Sequence, residues 1–233
     1  EQIPAAGLNQ LYNRLDSVHP GFFLMIEAGN IDWAAHANDG GAVIKEILNF
    51  QKSIDIAYQF YLQHPDETLI IVTADHDTGG MALGRKENRK PNLSLADFQR
   101  ISKDRFSDYC KARCKEGAAF TWPMMRTFMQ ENLGFFGKVD ITAEQEEQLK
   151  QDFEKIFHQG RGRDEKTLYN DFNQYAVQVF DLLNIKMGIG WTTSNHTGNF
   201  VPVYAVGAGA ENFGHNLNNT DIVELIYKIT GAK

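Results

Sequence analysis

The stretch that most constrains this chain is Thr68 to Gly80, T-L-I-I-V-T-A-D-H-D-T-G-G, in which an apolar run passes straight into adjacent acidic and imidazole side chains. Thr68 to Thr73 is β-branched and apolar, follows Pro65-Asp66 and ends ahead of a glycine pair. That pattern predicts a central buried strand with a loop at its carboxyl end. In open α/β sheets that end of a strand is where ligands bind, and here it presents Asp75 and His76 side by side. Neighbouring side chains on a strand point to opposite faces, so both can serve one ion only if the chain turns. Thr78-Gly79-Gly80 supplies such a turn. Taken alone, an Asp-His pair at a strand end caps a helix or sits in a solvated loop more often than it binds metal.

A chain of 233 residues, 42% of them hydrophobic, can bury a core of roughly three-quarters of its extended surface, as one large domain or one and a half ordinary ones. A net charge of -7 argues against a binder of nucleic-acid backbones, unless bound metal ions reverse the sign locally. No apolar run approaches the ~18 residues of a membrane span, and Glu1-Gln2-Ile3-Pro4 lacks the features of a signal peptide, so the chain as given is expected to be neither anchored nor self-targeting. Cys110 and Cys114 lie four apart in a helical pattern, which reads as free or helix-packed thiols.

Ala5 to Val18 carries Leu8, Leu11, Tyr12 and Leu15 on one helical face, and His19-Pro20-Gly21 ends it. Gly21 to Ile26 is a continuous apolar run of strand length, closed by Glu27. A carboxylate there is costly unless paired, so Glu27 is a structural hydrogen-bond acceptor or a ligand. In the following I-D-W-A-A-H, Asp32 and His36 stand at i and i+4, on one helical face with Cβ atoms about 6 Å apart. The spacing suits a zinc ligand pair and equally a cap with its ion-pair partner.

From Gly41 to Gln63 apolar residues recur at helical spacing and stop before Pro65. Strand, helix and strand then form a βαβ unit with parallel strands and a right-handed crossover. The expected fold class is α/β: part of a mostly parallel central sheet with helices on both faces, plus a helical insertion. Residues 1–84 and 189–233 form the α/β core, and 85–188 a mainly helical insertion or cap, broken near Pro123, Gly134 to Gly137 and Gly160 to Gly162. Within that block Thr142-Ala-Glu-Gln145 is a capping box opening a helix through Phe157, and Thr167 to Lys186 is a second amphipathic helix. His158 reads as a helix-end residue. The chain returns through a polar loop, Gly190 to Gly198, which holds His196 ahead of a strand from Phe200 to Val206. Asn218 to Asp221 cap the last helix, Ile222 to Ile229.

Glu27 with I-D-W-A-A-H-A-N, then T-A-D-H-D-T-G-G, then N-H-T-G-N ahead of V-P-V-Y-A-V-G-A-G-A, resembles in that order the carboxyl-terminal half of a bacterial alkaline phosphatase. The resemblance covers Gly7 to Leu83 and Gly190 to Ile229. It implies that Asp32, His36 and His196 bind a first zinc ion, which takes the leaving-group oxygen and then activates water. It implies that Asp75 and His76 contribute to a second zinc, which activates a serine nucleophile, and that Glu27 contributes to a magnesium site. The ligand types agree with those ions, imidazole and carboxylate for zinc and oxygen alone for the hard magnesium. Two cations about 4 Å apart would stabilise both oxygens of an in-line phosphoryl displacement.

Members of that family also carry, in their amino-terminal half, a D-G-M-G-type strand end, a serine in a D-S-A-type turn, a threonine that binds magnesium and an arginine that clamps phosphate. None of these occurs here, and Ser194 lacks the nucleophile's context. The expectation is a phosphomonoesterase whose metal-ligand half is this chain. By itself the chain is expected to be inactive, and its partners are phosphomonoester substrates, the amino-terminal half and, as one allowed assembly, a second copy. Periplasmic or secreted localisation follows from the resemblance. A phosphodiesterase or phosphomutase of the same superfamily and a non-catalytic metal- or partner-binding fragment are the alternatives.

Overall fold

The structure is a computed structural model that describes residues 2–17 and 21–231. In chain order its first elements are α1 (Gln2–Tyr12), α2 (Gly29–His36), α3 (Gly40–Gln63), β1 (Leu69–Val72), β2 (Asp77–Thr78) and β3 (Ala82–Leu83). A helical stretch follows with α4 (Lys103–Arg113), α5 (Trp122–Leu133) and α6 (Ala143–Phe153). The chain closes with β4 (Glu165–Lys166), β5 (Asp171–Phe172), α7 (Gln174–Met187), β6 (Ile189–Gly190), β7 (His196–Thr197), β8 (Tyr204–Gly207) and α8 (Asn219–Thr230). It divides into two compact units: residues 1–28, 48–77 and 198–233, and residues 29–47 and 78–197.

The first unit is built on the antiparallel pair β1 and β8, in register from Leu69 opposite Gly207 to Val72 opposite Tyr204. On it, the Tyr12 ring of α1 meets Phe60 of α3 edge-on, with centroids 5.3 Å apart. The last helix, α8, is opened by Asn218 and Asp221, whose carboxylate accepts from the Asn218 N–H at 2.8 Å. Thr220, expected to share in that cap, lies inside the helix. This unit buries little: among the described residues Leu8 and Phe213 are its buried apolar side chains, while Phe23, Met25, Phe200 and Tyr204 are exposed.

The second unit holds most of the core. Phe106 and Cys110 of α4, Met129 of α5, Phe153 of α6, and Tyr175 and Leu183 of α7 are all closed to solvent. Several of its helices start where the sequence offers a partner for the first free amides. Thr142 Oγ1 accepts from Gln145 N (3.2 Å) while Gln145 Oε1 accepts from Thr142 N (3.1 Å), the capping box read from the sequence. Asn173 Oδ1 accepts from Tyr175 N at 3.0 Å and opens α7. Cys110 and Cys114 are free thiols, and burial pushes the Cys110 thiol well up.

The structure differs from several sequence expectations. The mostly parallel sheet is not seen among the described residues, where no sheet exceeds two strands and the pairs β1–β8, β3–β6 and β4–β5 are antiparallel. Gly21 to Ile26 forms no ladder, although Phe23 and Met25 point outward while Phe22 and Ile26 are half-buried, the alternation of extended chain. A strand needs a hydrogen-bonded neighbour, and β1 has only β8. α1 stops at Tyr12, short of the expected Val18, which with His19 and Pro20 lies outside the described residues. α7 begins at Gln174 instead of Thr167, because Glu165 to Phe172 is a hairpin and Phe172 is buried from a strand. β8 starts at Tyr204, with Phe200 fully exposed ahead of it.

His158 ends the turn that extends α6, as expected for a helix-end residue. Its Nδ1 lies 2.6 Å from Glu154 Oε2 and its Nε2 2.9 Å from the Phe120 carbonyl. Both neighbours are acceptors, so only the doubly protonated ring satisfies both. The Phe120 carbonyl first, and then Glu154, raise its pKa. A raised folded-state pKa adds stability in full below the unfolded value of about 6.5 and loses it as pH rises through the folded value. His158→Gln should therefore cost more stability in urea denaturation at about pH 5.5 than at about pH 9. An equal cost at both would show that the ring is not held as imidazolium.

Candidate metal centre

The second unit gathers three of the residues singled out by sequence. α2 is a two-turn helix, so Asp32 and His36 stand one turn apart on the same face, and His36 closes its carboxyl end. The His36 ring is 2% exposed. Its Nδ1 lies 2.6 Å from the backbone carbonyl of Ser194, so Nδ1 carries the proton and donates it. That leaves the Nε2 lone pair free to face outward. Nε2 lies 3.5 Å from Asp32 Oδ1 and 3.1 Å from Nε2 of His196.

His196 comes from β7, and the loop before it is pinned to the turn after β2. Gly79 N donates to the Asn195 carbonyl at 2.9 Å, and Thr192 N donates back to the Gly79 carbonyl at 2.9 Å. Gly79 has φ of 80°, and a Cβ on it would stand 2.6 Å from the Trp191 ring. Only glycine fits there, which explains the T-G-G of the opening motif better than a turn alone does. Thr78 Oγ1 donates to Asp32 Oδ1 at 2.5 Å and so fixes the carboxylate. The ring of Tyr169, from the turn between β4 and β5, lies edge-on to His36 with centroids 4.7 Å apart.

Two imidazole nitrogens facing each other, with a carboxylate beside them, suit a shared cation. Around tetrahedral zinc, bonds of about 2.0–2.1 Å put neighbouring ligand atoms roughly 3.3 Å apart. The 3.1 and 3.5 Å separations bracket that value. Imidazole and carboxylate donors at these separations suit a divalent cation. A hydrogen-bonded partner on the far nitrogen of a ligand histidine is the usual companion of such sites.

The other singled-out residues lie in the first unit. His76 Nε2 is 3.2 Å from Asp75 Oδ2, and its backbone N–H is 3.1 Å from Asp75 Oδ1, so the adjacent pair does turn toward itself. Glu27 is exposed at the end of the 21–28 segment. Sequence reading missed the Thr78 hydroxyl and the Ser194 carbonyl. Thr78 stands inside the opening motif and could have been weighed as more than a turn residue; a backbone acceptor such as Ser194 leaves no mark on the residue type.

Comparison with known proteins bears on this geometry. The sequence profile described as "Alkaline phosphatase" matches residues 8–232. Alkaline phosphatase 4 of Bacillus subtilis (strain 168) is 29% identical over 217 residues, which is 93% of this chain and 41% of that protein. The cold-active alkaline phosphatase of a psychrophilic Shewanella sp. superposes with a TM-score of 0.68 at 28% identity, over 96% of this chain and 49% of the other. The TAB5 alkaline phosphatase, in a mutant form with magnesium bound in its M3 site, shares the fold at a TM-score of 0.51 and 20% identity, over 98% of this chain and 40% of the other. The chain thus spans less than half the length of each of these proteins. With the profile running along nearly its whole length, the chain that carries this histidine and carboxylate cluster belongs to the alkaline phosphatase family.

Proposed function

We propose that the protein this chain forms part of hydrolyses phosphate monoesters with bound metal ions, and that the chain supplies most of the zinc ligands. The observation that carries this is the convergence of His36 Nε2, His196 Nε2 and Asp32 Oδ1 at zinc-like spacings, with the His36 tautomer set by Ser194. Asp32, His36 and His196 would hold the first zinc, Asp75 and His76 would contribute to the second, and Glu27 to magnesium. When bound, such an ion supplies positive charge to a phosphoryl or leaving-group oxygen. The chain's own residues do the rest. Ser194 keeps the His36 proton on Nδ1, Thr78 orients the Asp32 carboxylate, and the Gly79 contacts hold the loop that presents His196.

The nucleophile, the phosphate-clamping arginine and the remaining magnesium ligand belong in this reading to an amino-terminal half. Relatives about twice as long as this chain support that view. So does the first unit, where β1 has a single neighbour among the described residues and Phe23, Met25 and Phe200 are exposed. Large exposed apolar patches mark contact surfaces, and an unpaired strand edge accepts further strands. We read β1 as part of a larger, mostly parallel sheet that the amino-terminal half completes, and 85–188 as a helical insertion on that core. A periplasmic or secreted location is part of this reading.

Zinc titration of the metal-free chain tests the ligand set. About one ion should bind tightly and a second weakly, since only the first set is complete here. His196→Ala should weaken the tight site at least ~100-fold while His158→Ala leaves it unchanged. A folded chain without zinc affinity would end the reading. In assays with p-nitrophenyl phosphate, zinc and magnesium, the chain alone should turn over at background, and addition of the amino-terminal half should restore hydrolysis together with a 1:1 complex in light scattering. Chelator-sensitive turnover by the chain alone, or a stable monomer indifferent to that half, would contradict it.

A further inference from the structure

The five residues after His36, Ala37 to Gly41, span the link from α2 and the first residues of α3, and by composition they read as a surface turn. In the structure all but the half-buried Asn38 are buried: Ala37 is 3% and Asp39 1% exposed. Side chains from far along the chain close them in. Lys103 Nζ donates to the Ala37 carbonyl at 2.8 Å, and Asn184 Nδ2 to the Asn38 carbonyl at 2.8 Å. Gly40 N donates to Asn184 Oδ1 at 3.3 Å. Asp39 accepts from Gln99 Nε2 (2.7 Å) and Ala42 N (3.0 Å) through Oδ1, and from Lys103 N (2.8 Å) through Oδ2. Gln99, Lys103 and Asn184 are themselves 3–4% exposed. The fit leaves no slack, since a Cβ on Gly40 would stand 2.6 Å from Ile189 Cδ1 and one on Gly41 2.0 Å from Gln99 Oε1.

Burying a lysine, an aspartate and two amides is a poor way to gain stability, because apolar side chains of the same volume hold as well without desolvating charge. A directional network holds its members in one register, as apolar packing does not. What this network holds is the carboxyl end of α2, and His36 is the last residue of that helix. Axial slip or rotation of α2 by a fraction of a turn would carry Nδ1 away from Ser194 and Nε2 away from Asp32 and His196. We propose that Lys103 and Asn184, with Gln99, are positioning residues for His36: the helical block clamps the Ala37–Gly41 link and thereby sets the geometry and the affinity of the first metal site. The affinity part rests on the proposed zinc site; the geometric part stands without it.

The test uses the 233-residue chain and two variants, Asn184→Ala and Lys103→Met, the latter keeping the apolar stem. Val179→Ala, in the buried core of the same helix as Asn184, is the control. Nitrogen-15 shifts of the His36 ring, recorded without metal at about pH 9 where imidazole is neutral, report its tautomer. Chelator competition reports the zinc dissociation constant, and thermal melting reports stability. The expected result is a single Nδ1–H tautomer in the parent and the control, a mixed population in both clamp variants, and zinc bound about 10-fold more weakly in them. The control should melt lower with parental zinc affinity. Where one clamp variant fails to fold, the other decides. The inference is overturned if the clamp variants melt lower yet keep the parental ring shifts and a zinc constant within about twofold, as a merely structural role requires. A parent that binds no zinc but shows the tautomer difference would end the zinc reading and leave the clamp standing.

Discussion

The structure of the site depends on one hydrogen bond, from His36 Nδ1 to the carbonyl of Ser194, which joins positions 158 residues apart. A histidine at the end of a short helix can rotate, exchange its proton between two nitrogens and present either one. Donation to a fixed carbonyl removes all three freedoms at once. Nε2 then becomes a lone pair with a set direction, and the carboxylate of Asp32 and the imidazole of His196 are useful only because that direction is set.

Two other parts of the second unit exist to keep that bond in place. On one side, glycine at 79 lets the turn after β2 lie against Trp191 and tie the 192–195 backbone, so Ser194 and His196 arrive together. On the other, Gln99, Lys103 and Asn184 hold the link that follows His36. The large apolar core of α4 to α7 gives these polar side chains a rigid base. That is a reason for the eight-residue helix that carries Asp32 and His36 to share a compact unit with a helical block, when so short a helix has little stability of its own.

What could be read from the chain was what is encoded locally. The 3.6-residue pattern of 41–63 became α3 almost to the residue, and the Thr142 and Gln145 pair opened α6 as its spacing demands. The i, i+4 pair of Asp32 and His36 lies on a helix, so its shared face was legible. Elements that need a remote partner were not. Gly21 to Ile26 has the composition of a strand but no ladder among the described residues, and Phe172 looked helical although a hairpin buries it. Asn173 was the available signal for the true start of α7. In the site, Ser194 acts through a backbone atom, and the clamp on Ala37 to Gly41 is assembled from residues 60 or more positions away, so neither leaves a spacing to find.

The central claim is that Asp32, His36 and His196 form one zinc site in this chain. X-ray absorption of the chain loaded with a single equivalent of zinc tests it most directly. The account predicts a shell of nitrogen and oxygen at about 2.0–2.1 Å with the outer-shell scattering of two imidazoles, falling to one in His196→Ala. A sulfur shell near about 2.3 Å from Cys110 and Cys114, or two imidazoles retained in His196→Ala, would contradict it.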